Sequence, residues 1–177
     1  MLGMPNPESL INMFGLAEGM SVADFGSGSG HLGILAAQKV GKDGKVYAFD
    51  IMESALDAIN GRATALGLAN VEARRTNLEV AGSTGLTDGT VDVVFMANIL
   101  FQNPDKGLML KEARRILKGG GKLVIIEWLK GAAGLGPPDE YRTDQTVLVN
   151  TITGIGFSVL SNQVIGKYHY LVISAKV

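Results

Sequence analysis

The segment Ser21–Gly33 constrains the fold of this chain more than any other stretch of its sequence. It consists of SVADFGSGSGHLG, a short apolar run followed by an acidic residue, closely spaced glycines and the start of a helix-like stretch. Every second position from Asp24 onward is then a glycine, at Gly26, Gly28 and Gly30. Such glycines allow the sharp first turn of a doubly wound sheet and let a ligand approach the backbone. A helix N-terminus favours negative charge, but the acidic residue inside this loop suits a ligand with a cationic end better than a pyrophosphate.

Strand-like and helix-like stretches alternate along the rest of the chain. Apolar runs predict five strands, at Val22–Phe25, Val46–Asp50, Val71–Arg75, Thr90–Ala97 and Lys122–Trp128. Apolar residues at helical spacing predict helices at Gly30–Val40, Ser54–Leu66, Asp105–Lys118 and Asp144–Thr153. We expect Gly119–Gly121 to end the third of these helices. Repeated strand–helix units of this kind favour a parallel sheet covered by helices.

The C-terminal part of the chain departs from this alternation. Two β-rich runs, Gly156–Ile165 and Tyr168–Val177, are separated only by Gly166–Lys167. So short a connection requires antiparallel strands, because a parallel crossover needs about a dozen residues or more. The sequence therefore predicts an α/β fold, a Rossmann-like, doubly wound, seven-stranded and mostly parallel sheet with a C-terminal antiparallel hairpin.

The length of the chain favours one domain that spans residues 1–177. No internal repeat and no domain boundary is visible in the sequence. Residues 1–20 are expected to contribute a short helical segment, with an amphipathic helix at Pro7–Leu16.

The composition of the chain excludes several classes of partner and of chemical reaction. Its net charge is -1 and its pI is about 6.1, so no general attraction draws it to nucleic acid or to an anionic membrane. It has no cysteine, which excludes disulfides, thiolate nucleophiles and zinc–thiolate sites. Its two histidines, His31 and His169, are far apart in the sequence, so we expect no metal site. The N-terminus lacks the pattern of a secretory signal and Val91–Phe101 is too short to span a bilayer, which together predict a cytoplasmic protein.

The residues that end the predicted strands are candidates for a binding site, because doubly wound sheets bind ligands outside the carboxyl ends of their strands. Asp50 ends the second predicted strand, 24 residues after Gly26. At about this spacing an acidic residue accepts hydrogen bonds from the ribose hydroxyls of a nucleotide. Ile51 and Met52 follow directly and offer an apolar face to an adenine ring.

These features together resemble the class I S-adenosylmethionine-dependent methyltransferases, in particular the small-molecule type 11 group that is similar to quinone-biosynthesis methyltransferases. The resemblance rests on the acidic glycine loop, Asp50, the terminal hairpin and the stretch EARRILKGGGKLVIIEW, and covers nearly the whole chain. It implies S-adenosylmethionine as the cofactor and S-adenosylhomocysteine as the product. The cofactor-binding residues that it implies are Asp24, Gly26, Ser27, Gly28, Gly30, Asp50, Ile51, Met52, Asn77, Leu78, Ala97 and Asn98. The family usually has an aspartate at the position of Asn77, whose amide oxygen accepts more weakly from the adenine amino group.

The candidates for binding the methyl acceptor lie at strand ends and in one loop, at Phe101, Glu127, Trp128, Arg142 and Tyr168. An indole beside a carboxylate suits a cationic or planar acceptor. In the alternative interpretation Trp128 caps the core and Glu127 pairs with a lysine such as Lys130. Arg142 either binds an acidic substrate or locks its own loop. His169 is the candidate general base, a role that competes with a structural one.

The acceptor itself is predicted to be an unidentified small molecule that receives the methyl group by in-line transfer. Asn98–Phe101 has the spacing of the Asn-Pro-Pro-aromatic motif of nucleic-acid methyltransferases, but both prolines are missing and we expect no nucleic-acid partner. Because only one short helix precedes the first strand, we expect an open acceptor pocket. A second subunit in a homodimer is one way in which this pocket could be completed. Two alternatives remain, a non-catalytic S-adenosylmethionine-binding module and an NAD-binding oxidoreductase. The terminal hairpin and Asp24 disfavour the oxidoreductase.

Overall fold

The computed structural model describes residues 5–103 and 105–177, so the first four residues of the predicted N-terminal segment lie outside the described part of the chain. The strands are β1 (Ser21–Phe25), β2 (Lys45–Asp50), β3 (Val71–Arg75), β4 (Val91–Ala97), β5 (Leu117–Trp128), β6 (Phe157–Ile165) and β7 (His169–Lys176). The α-helices are α1 (Pro7–Met13), α2 (His31–Val40), α3 (Glu53–Ala65), α4 (Lys106–Ile116) and α5 (Gln145–Gly154). Short 3-10 turns lie at Leu100–Gln102 and Asp139–Tyr141.

The strands form one seven-stranded sheet in the order β3-β2-β1-β4-β5-β7-β6. β7 is antiparallel to both of its neighbours, and the other neighbouring strands are parallel. The predicted fold class is therefore confirmed. The direction in which the chain builds the sheet reverses between β1 and β4, and this reversal opens a crevice between the loops that follow these two strands.

The central strands are buried on both faces, which explains their continuous apolar sequences. Alternate residues of β4 enter two separate core clusters. Val94 and Met96 pack in the cluster that contains residues of α4 and α5, whereas Val93 and Phe95 pack in the cluster that contains residues of α1 and α2. With both faces covered, the strand ends are the part of the central sheet that a ligand can reach.

The boundary between α4 and β5 differs from the prediction. The helix ends at Ile116, two residues early, and β5 begins directly at Leu117. Leu117 and Lys122 pair with residues of β4 that are only two positions apart, so the segment between them bulges out of the ladder. Gly119–Gly121 lies in this segment, and Gly120 has a φ of +74°. The prediction that these glycines end the helix is wrong, because they instead let an irregular strand begin there.

The first helix is also shorter than predicted. α1 ends at Met13, and Gly15 follows with a φ of +67°. Phe14 remains in the core, where its ring lies 5.2 Å from that of Phe95. The apolar pattern that predicted a helix as far as Leu16 therefore continues beyond the helix, because the residues after it are still buried.

Candidate functional site

Two adjoining cavities open at the carboxyl ends of the strands, with volumes of about 380 Å³ and about 180 Å³. Four residues line both of them: Gly26, Gly28, Ala97 and Asn98. The larger cavity also includes Asp50, Ile51, Met52, Asn77 and Leu78, and the smaller one includes Asp24 and Ser27. All of the predicted cofactor-binding residues except Gly30 thus line one of the two cavities. Gly30 is instead the N-cap of α2 and packs against Ile59.

The glycine loop is bound to β2 and presents its backbone to both cavities. The N–H groups of Gly26 and Ser27 donate to the carbonyl of Phe49 at 2.8 and 3.0 Å. Gly26 has a φ of +75°, and a Cβ at this position would overlap the side chain of Ile99. Gly28 also has a positive φ, but a Cβ there would meet no atom within 4 Å. A side chain at Gly28 would therefore occupy space that a ligand can use.

Asp24 is a buried acid beside the glycine loop. It lines the smaller cavity and is 3% exposed. In the described ranges no lysine or arginine forms an ion pair with it. Burial raises the pKa of Asp24 well above its ordinary value, and the negative charge of Asp50 raises it further. A cation in the smaller cavity would favour the ionised form of this carboxyl.

Asp50 connects the glycine loop to the turn after β2. Its Oδ2 accepts from the N–H of Gly28 at 2.8 Å, and its Oδ1 accepts from the N–H of Met52 at 3.0 Å. Each carboxylate oxygen keeps a further lone pair for a ligand. Ile51 and Met52 are 56% and 61% exposed although both are apolar, as is typical of residues that a ligand covers.

Asn77 and Leu78 follow β3 and line another part of the larger cavity. The Oδ1 of Asn77 accepts from the N–H of Glu79 at 3.0 Å. Because a backbone N–H can only donate, this bond determines which end of the amide is the oxygen. The oxygen of Asn77 is thus already shared with the backbone and has one lone pair left for a ligand.

Asn98 lies on the wall that the two cavities share and has a strained backbone. Its φ is +55°, and in the described ranges no other non-glycine residue has a positive φ. Its Nδ2 lies 3.1 Å from the Nε2 of His169. His169 is fully buried, and its ring lies 4.3 Å from that of Trp128. The candidate general base therefore lies behind Asn98 and lines neither cavity.

Glu127 is fully buried at the end of β5 and bonds to backbone amides. Its Oε1 accepts from the N–H of Leu100 at 2.6 Å, and its Oε2 accepts from the N–H of Trp128 at 3.3 Å. Burial raises the pKa of Glu127, and the amide hydrogen bonds lower it only in part, so that the pKa is about 7. No ion pair joins Glu127 to Lys130 or to another cation in the part of the chain that the structure describes.

Arg142 holds its own loop together. Its guanidinium donates at 2.5 to 2.9 Å to the backbone carbonyls of Leu129, Ala132, Leu135 and Pro137. It also lies 5.8 Å from the ring of Trp128. Of the two roles considered for Arg142, this geometry fits the loop lock. None of the five acceptor candidates lines either cavity, and the two not yet described, Phe101 and Tyr168, are half-buried.

Further residues of the larger cavity were not among the predicted site residues: Thr76, Glu79, Ile99, Gln102, Asn103 and Met109. Five of them follow a strand closely, so reasoning from strand ends could have included them. Met109 comes from the buried face of α4, and its sequence position carries no signal of a ligand site.

Residues 5–103 and 105–177 bring together no group of three His, Asp or Glu side chains that could hold a metal ion. Within these residues no helix is both long enough and apolar enough to cross a membrane. The two adjoining cavities are thus the main candidate for a functional site.

Known proteins resemble this chain in sequence. A family model described as a methyltransferase domain matches residues 16–146. The chain is 35% identical over 143 residues to an arsenite methyltransferase of Aquipseudomonas alcaligenes, an alignment that covers 78% of this chain and 40% of the relative. It is also 35% identical over 121 residues to a ubiquinone/menaquinone biosynthesis C-methyltransferase of Hydrogenovibrio crunogenus, over 68% of this chain and 46% of the relative. The chain therefore spans less than half the length of these curated relatives.

A solved structure is similar over nearly the whole chain. It is a SAM-dependent methyltransferase from Aquifex aeolicus, with a TM-score of 0.90 and 32% sequence identity. The similarity covers 99% of this chain and 92% of that one. The family model, the sheet topology and the glycine loop all indicate the same family of proteins. The chain belongs to the methyltransferase domain family, within the class I S-adenosylmethionine-dependent methyltransferases.

Proposed function

We propose that this chain binds S-adenosylmethionine in the two adjoining cavities and transfers its methyl group to a small-molecule acceptor. The observation that supports this most strongly is Asp24, a buried acid beside the glycine loop that has no cationic partner among the described residues. S-adenosylmethionine carries an ammonium and a sulfonium group, and so it brings the positive charge that this acid lacks. Its adenosine part is uncharged, which suits the larger cavity with its exposed apolar side chains.

The residues at the cavities fit each part of the cofactor. Asp24 would hold the ammonium group, and the N-terminus of α2, which begins at His31, would face the carboxylate. Asp50 would accept from the ribose hydroxyls. The adenine would lie against apolar side chains, and its amino group would donate a hydrogen bond to the oxygen of Asn77. The remaining members of the proposed cofactor site are Ser27, Ile51, Met52, Leu78, Ala97 and Asn98.

The chemistry that S-adenosylmethionine supplies when it is bound is a methyl group activated by its sulfonium. The chain contributes by orienting the acceptor in line with that group and by excluding water. Asn98 lies where the two cavities meet, so it is the side chain best placed to contact the reacting atoms. His169 would reach an acceptor only through Asn98, and we therefore propose that His169 positions Asn98 and is not itself the base.

We propose an organic acceptor. One relative is named an arsenite methyltransferase and the other a quinone-biosynthesis C-methyltransferase. These 177 residues contain no cysteine, and soft thiolates are the protein ligands that suit a soft centre such as trivalent arsenic. A planar organic acceptor therefore fits these residues better than arsenite does. A transfer assay with labelled methyl donor, run in parallel with arsenite and with a demethylated quinone, tests this preference.

Calorimetric titration with S-adenosylhomocysteine, with NAD as the control ligand, tests the cofactor site. We expect one-to-one binding in about the micromolar range for the former and none for NAD. Binding of NAD alone would favour the oxidoreductase alternative. Binding of S-adenosylhomocysteine without turnover of any acceptor would favour the non-catalytic binding module.

Three further proposals concern partners and location. The net charge of -1 supports a small molecule over nucleic acid as the acceptor. A homodimer would cover the edge strand β6, where Leu160 and Val164 are 58% and 54% exposed. We place the protein in the cytoplasm. Light scattering on a sizing column tests the dimer, gel-shift titration tests nucleic-acid binding, and cell fractionation tests the location.

A further inference from the structure

Glu127 fixes the turn that follows β4, and it does so through backbone amides. Its carboxylate accepts from the N–H groups of Leu100 and Trp128. Leu100 is fully buried, so the turn Leu100–Gln102 is attached to the end of β5 from inside the protein. Without the carboxylate these buried amides would lose their acceptor, which is unfavourable.

The turn that Glu127 fixes is one wall of the larger cavity. Ile99, Gln102 and Asn103 all line that cavity. Ile99 also packs closely on Gly26, where a Cβ would overlap its side chain. Because Gly26 belongs to the glycine loop, a displacement of the turn would change both the cavity wall and the loop. The carboxylate of Glu127 is thus linked to the proposed cofactor site through the amide hydrogen bonds and one packing contact.

The groups around Glu127 leave its charge largely uncompensated. Lys106 on α4 acts on it from a distance, but its ammonium donates to the carbonyl of Asn103. From β7, Tyr170 lies opposite Glu127 and donates its hydroxyl to a backbone carbonyl at 3.0 Å. His169, which precedes Tyr170 on β7, packs against the indole of Trp128 beside Glu127. Burial therefore dominates and raises the pKa of Glu127 to about 7.

We propose that Glu127 is a positioning residue whose ionised carboxylate holds the turn Leu100–Gln102 in the arrangement that binds the cofactor, and that its protonation weakens cofactor binding. This inference rests on the proposed function of the two cavities. On protonation one carboxyl oxygen becomes a donor and faces an N–H group that also donates. The turn then loses one of its anchors, and cofactor affinity falls as the pH falls through neutrality.

A glutamine at this position separates the effect of Glu127 from that of Asp24. Protonation of Asp24 also weakens the binding of a cationic ligand, so the pH dependence of the wild type combines both groups. In Glu127→Gln the side-chain NH2 opposes a backbone N–H at every pH, as in the protonated acid, while Asp24 is unchanged. The matched control is Glu72→Gln on β3, because Glu72 bonds to Arg74 at 2.7 Å and lines neither cavity.

The test is calorimetric titration of the three proteins with S-adenosylhomocysteine from about pH 6 to about pH 8. Because Glu127 is protonated at the acidic end, we expect the wild type and Glu72→Gln to bind S-adenosylhomocysteine roughly three- to tenfold more weakly there than at the alkaline end. Glu127→Gln should bind weakly throughout and keep only the dependence due to Asp24. Equal affinity and equal pH dependence of Glu127→Gln and the wild type would overturn the inference. A wild type that binds at no pH would overturn the proposed function, and this inference with it.

A measurement on the wild type alone covers the case in which Glu127→Gln does not fold. The amide signals of Leu100 and Trp128 in a nuclear magnetic resonance titration should shift together, because both N–H groups donate to the same carboxylate. Their common midpoint should lie near neutral pH. Constant chemical shifts of both amides over this range would contradict the inference.

Discussion

Two buried glutamates show how different surroundings give one kind of side chain two uses in this protein. Glu112 on α4 accepts from the N–H of Gly82 and the hydroxyl of Thr84, and it pairs with the guanidinium of Arg115 at 2.8 Å. Glu127 at the end of β5 bonds to backbone amides. Burial is the largest influence on both carboxyls, and alone it would raise both pKa values.

The cation makes the difference between them. At Glu112 the guanidinium of Arg115 and the hydrogen bonds to Thr84 and Gly82 outweigh burial and lower the pKa to about 2. At Glu127 the amides compensate burial only in part, and the pKa rises to about 7. A buried acid that has a cation stays ionised and stabilises the fold. A buried acid that forms no ion pair with the described residues, such as Glu127 or Asp24, is sensitive to pH and to a bound cation.

The largest effect that this comparison predicts is a loss of stability in Glu112→Ala. The substitution leaves Arg115 and the amides of the Gly82–Thr84 segment without their shared acceptor, at a cost of about 3–5 kcal/mol in the free energy of unfolding. Urea denaturation measures it. The control is Asp88→Ala, because Asp88 also pairs with Arg115 at 2.8 Å but is exposed, so this variant should lose less than about 1 kcal/mol. Equal losses in the two variants would remove the distinction between the paired glutamate and an exposed ion pair.

The second prediction concerns the pH dependence of stability in the wild type and in Glu127→Gln. Because the pKa of Glu127 is about 7 when folded and 4.5 ordinarily, the folded state retains a proton that the unfolded state releases between these values. The contribution of Glu127 to the free energy of unfolding is thus fully present below about pH 4.5 and is lost as the pH rises through about 7. Relative to Glu127→Gln, the free energy of unfolding of the wild type should fall by up to about 3 kcal/mol over this pH range. Chemical denaturation at several pH values measures the difference, and parallel curves would show that Glu127 does not titrate there.

The third prediction is that Asp24→Asn separates binding from stability. Removal of the charge should weaken binding of S-adenosylhomocysteine by about 1.5–3 kcal/mol, the contribution of a hydrogen bond to a charged group. The same substitution should not lower the melting temperature of the unliganded protein, because Asp24 forms no ion pair within residues 5–103 and 105–177. Calorimetry and thermal unfolding measure the two effects. Asp43→Asn in an exposed turn is the control and should change neither, whereas a strongly destabilised Asp24→Asn would show that Asp24 has a structural partner.

The sequence predicted the elements around the proposed site because their signals are local. The alternation of apolar runs and the glycine loop located β1 to within one residue, at Val22–Phe25 against Ser21–Phe25. The short connection before β7 was enough to predict an antiparallel pair. The boundary of α4 could not be predicted in the same way. Gly119–Gly121 suits a helix end as well as a bulged strand, and only its pairing with β4 decides between them.

The roles of the acceptor candidates depended on contacts that are distant in the sequence. Arg142 was ambiguous because the carbonyls it binds come together only when the loop folds around the guanidinium. Glu127 was expected to bind a substrate or to pair with a lysine, and its bond to Leu100 joins residues 27 positions apart. Met109 enters the cavity from a helix. Reasoning from strand ends therefore predicted the lining of the two cavities better than it predicted the contacts of the acceptor candidates.

The smallest effect is predicted for Asp50, an acid at the same edge of the sheet that is only half-buried and bonds to the amides of Gly28 and Met52. Asp50→Ala should weaken binding of S-adenosylhomocysteine by about 1–3 kcal/mol, because it removes the proposed ribose acceptor and releases the glycine loop. Asp50→Asn keeps one acceptor oxygen and should lose about half as much. Calorimetry on both variants compares them with Asp24→Asn. If Asp50→Ala binds like the wild type while it stays folded, Asp50 is not the ribose acceptor, and the contrast between the acids at this edge would rest on burial alone.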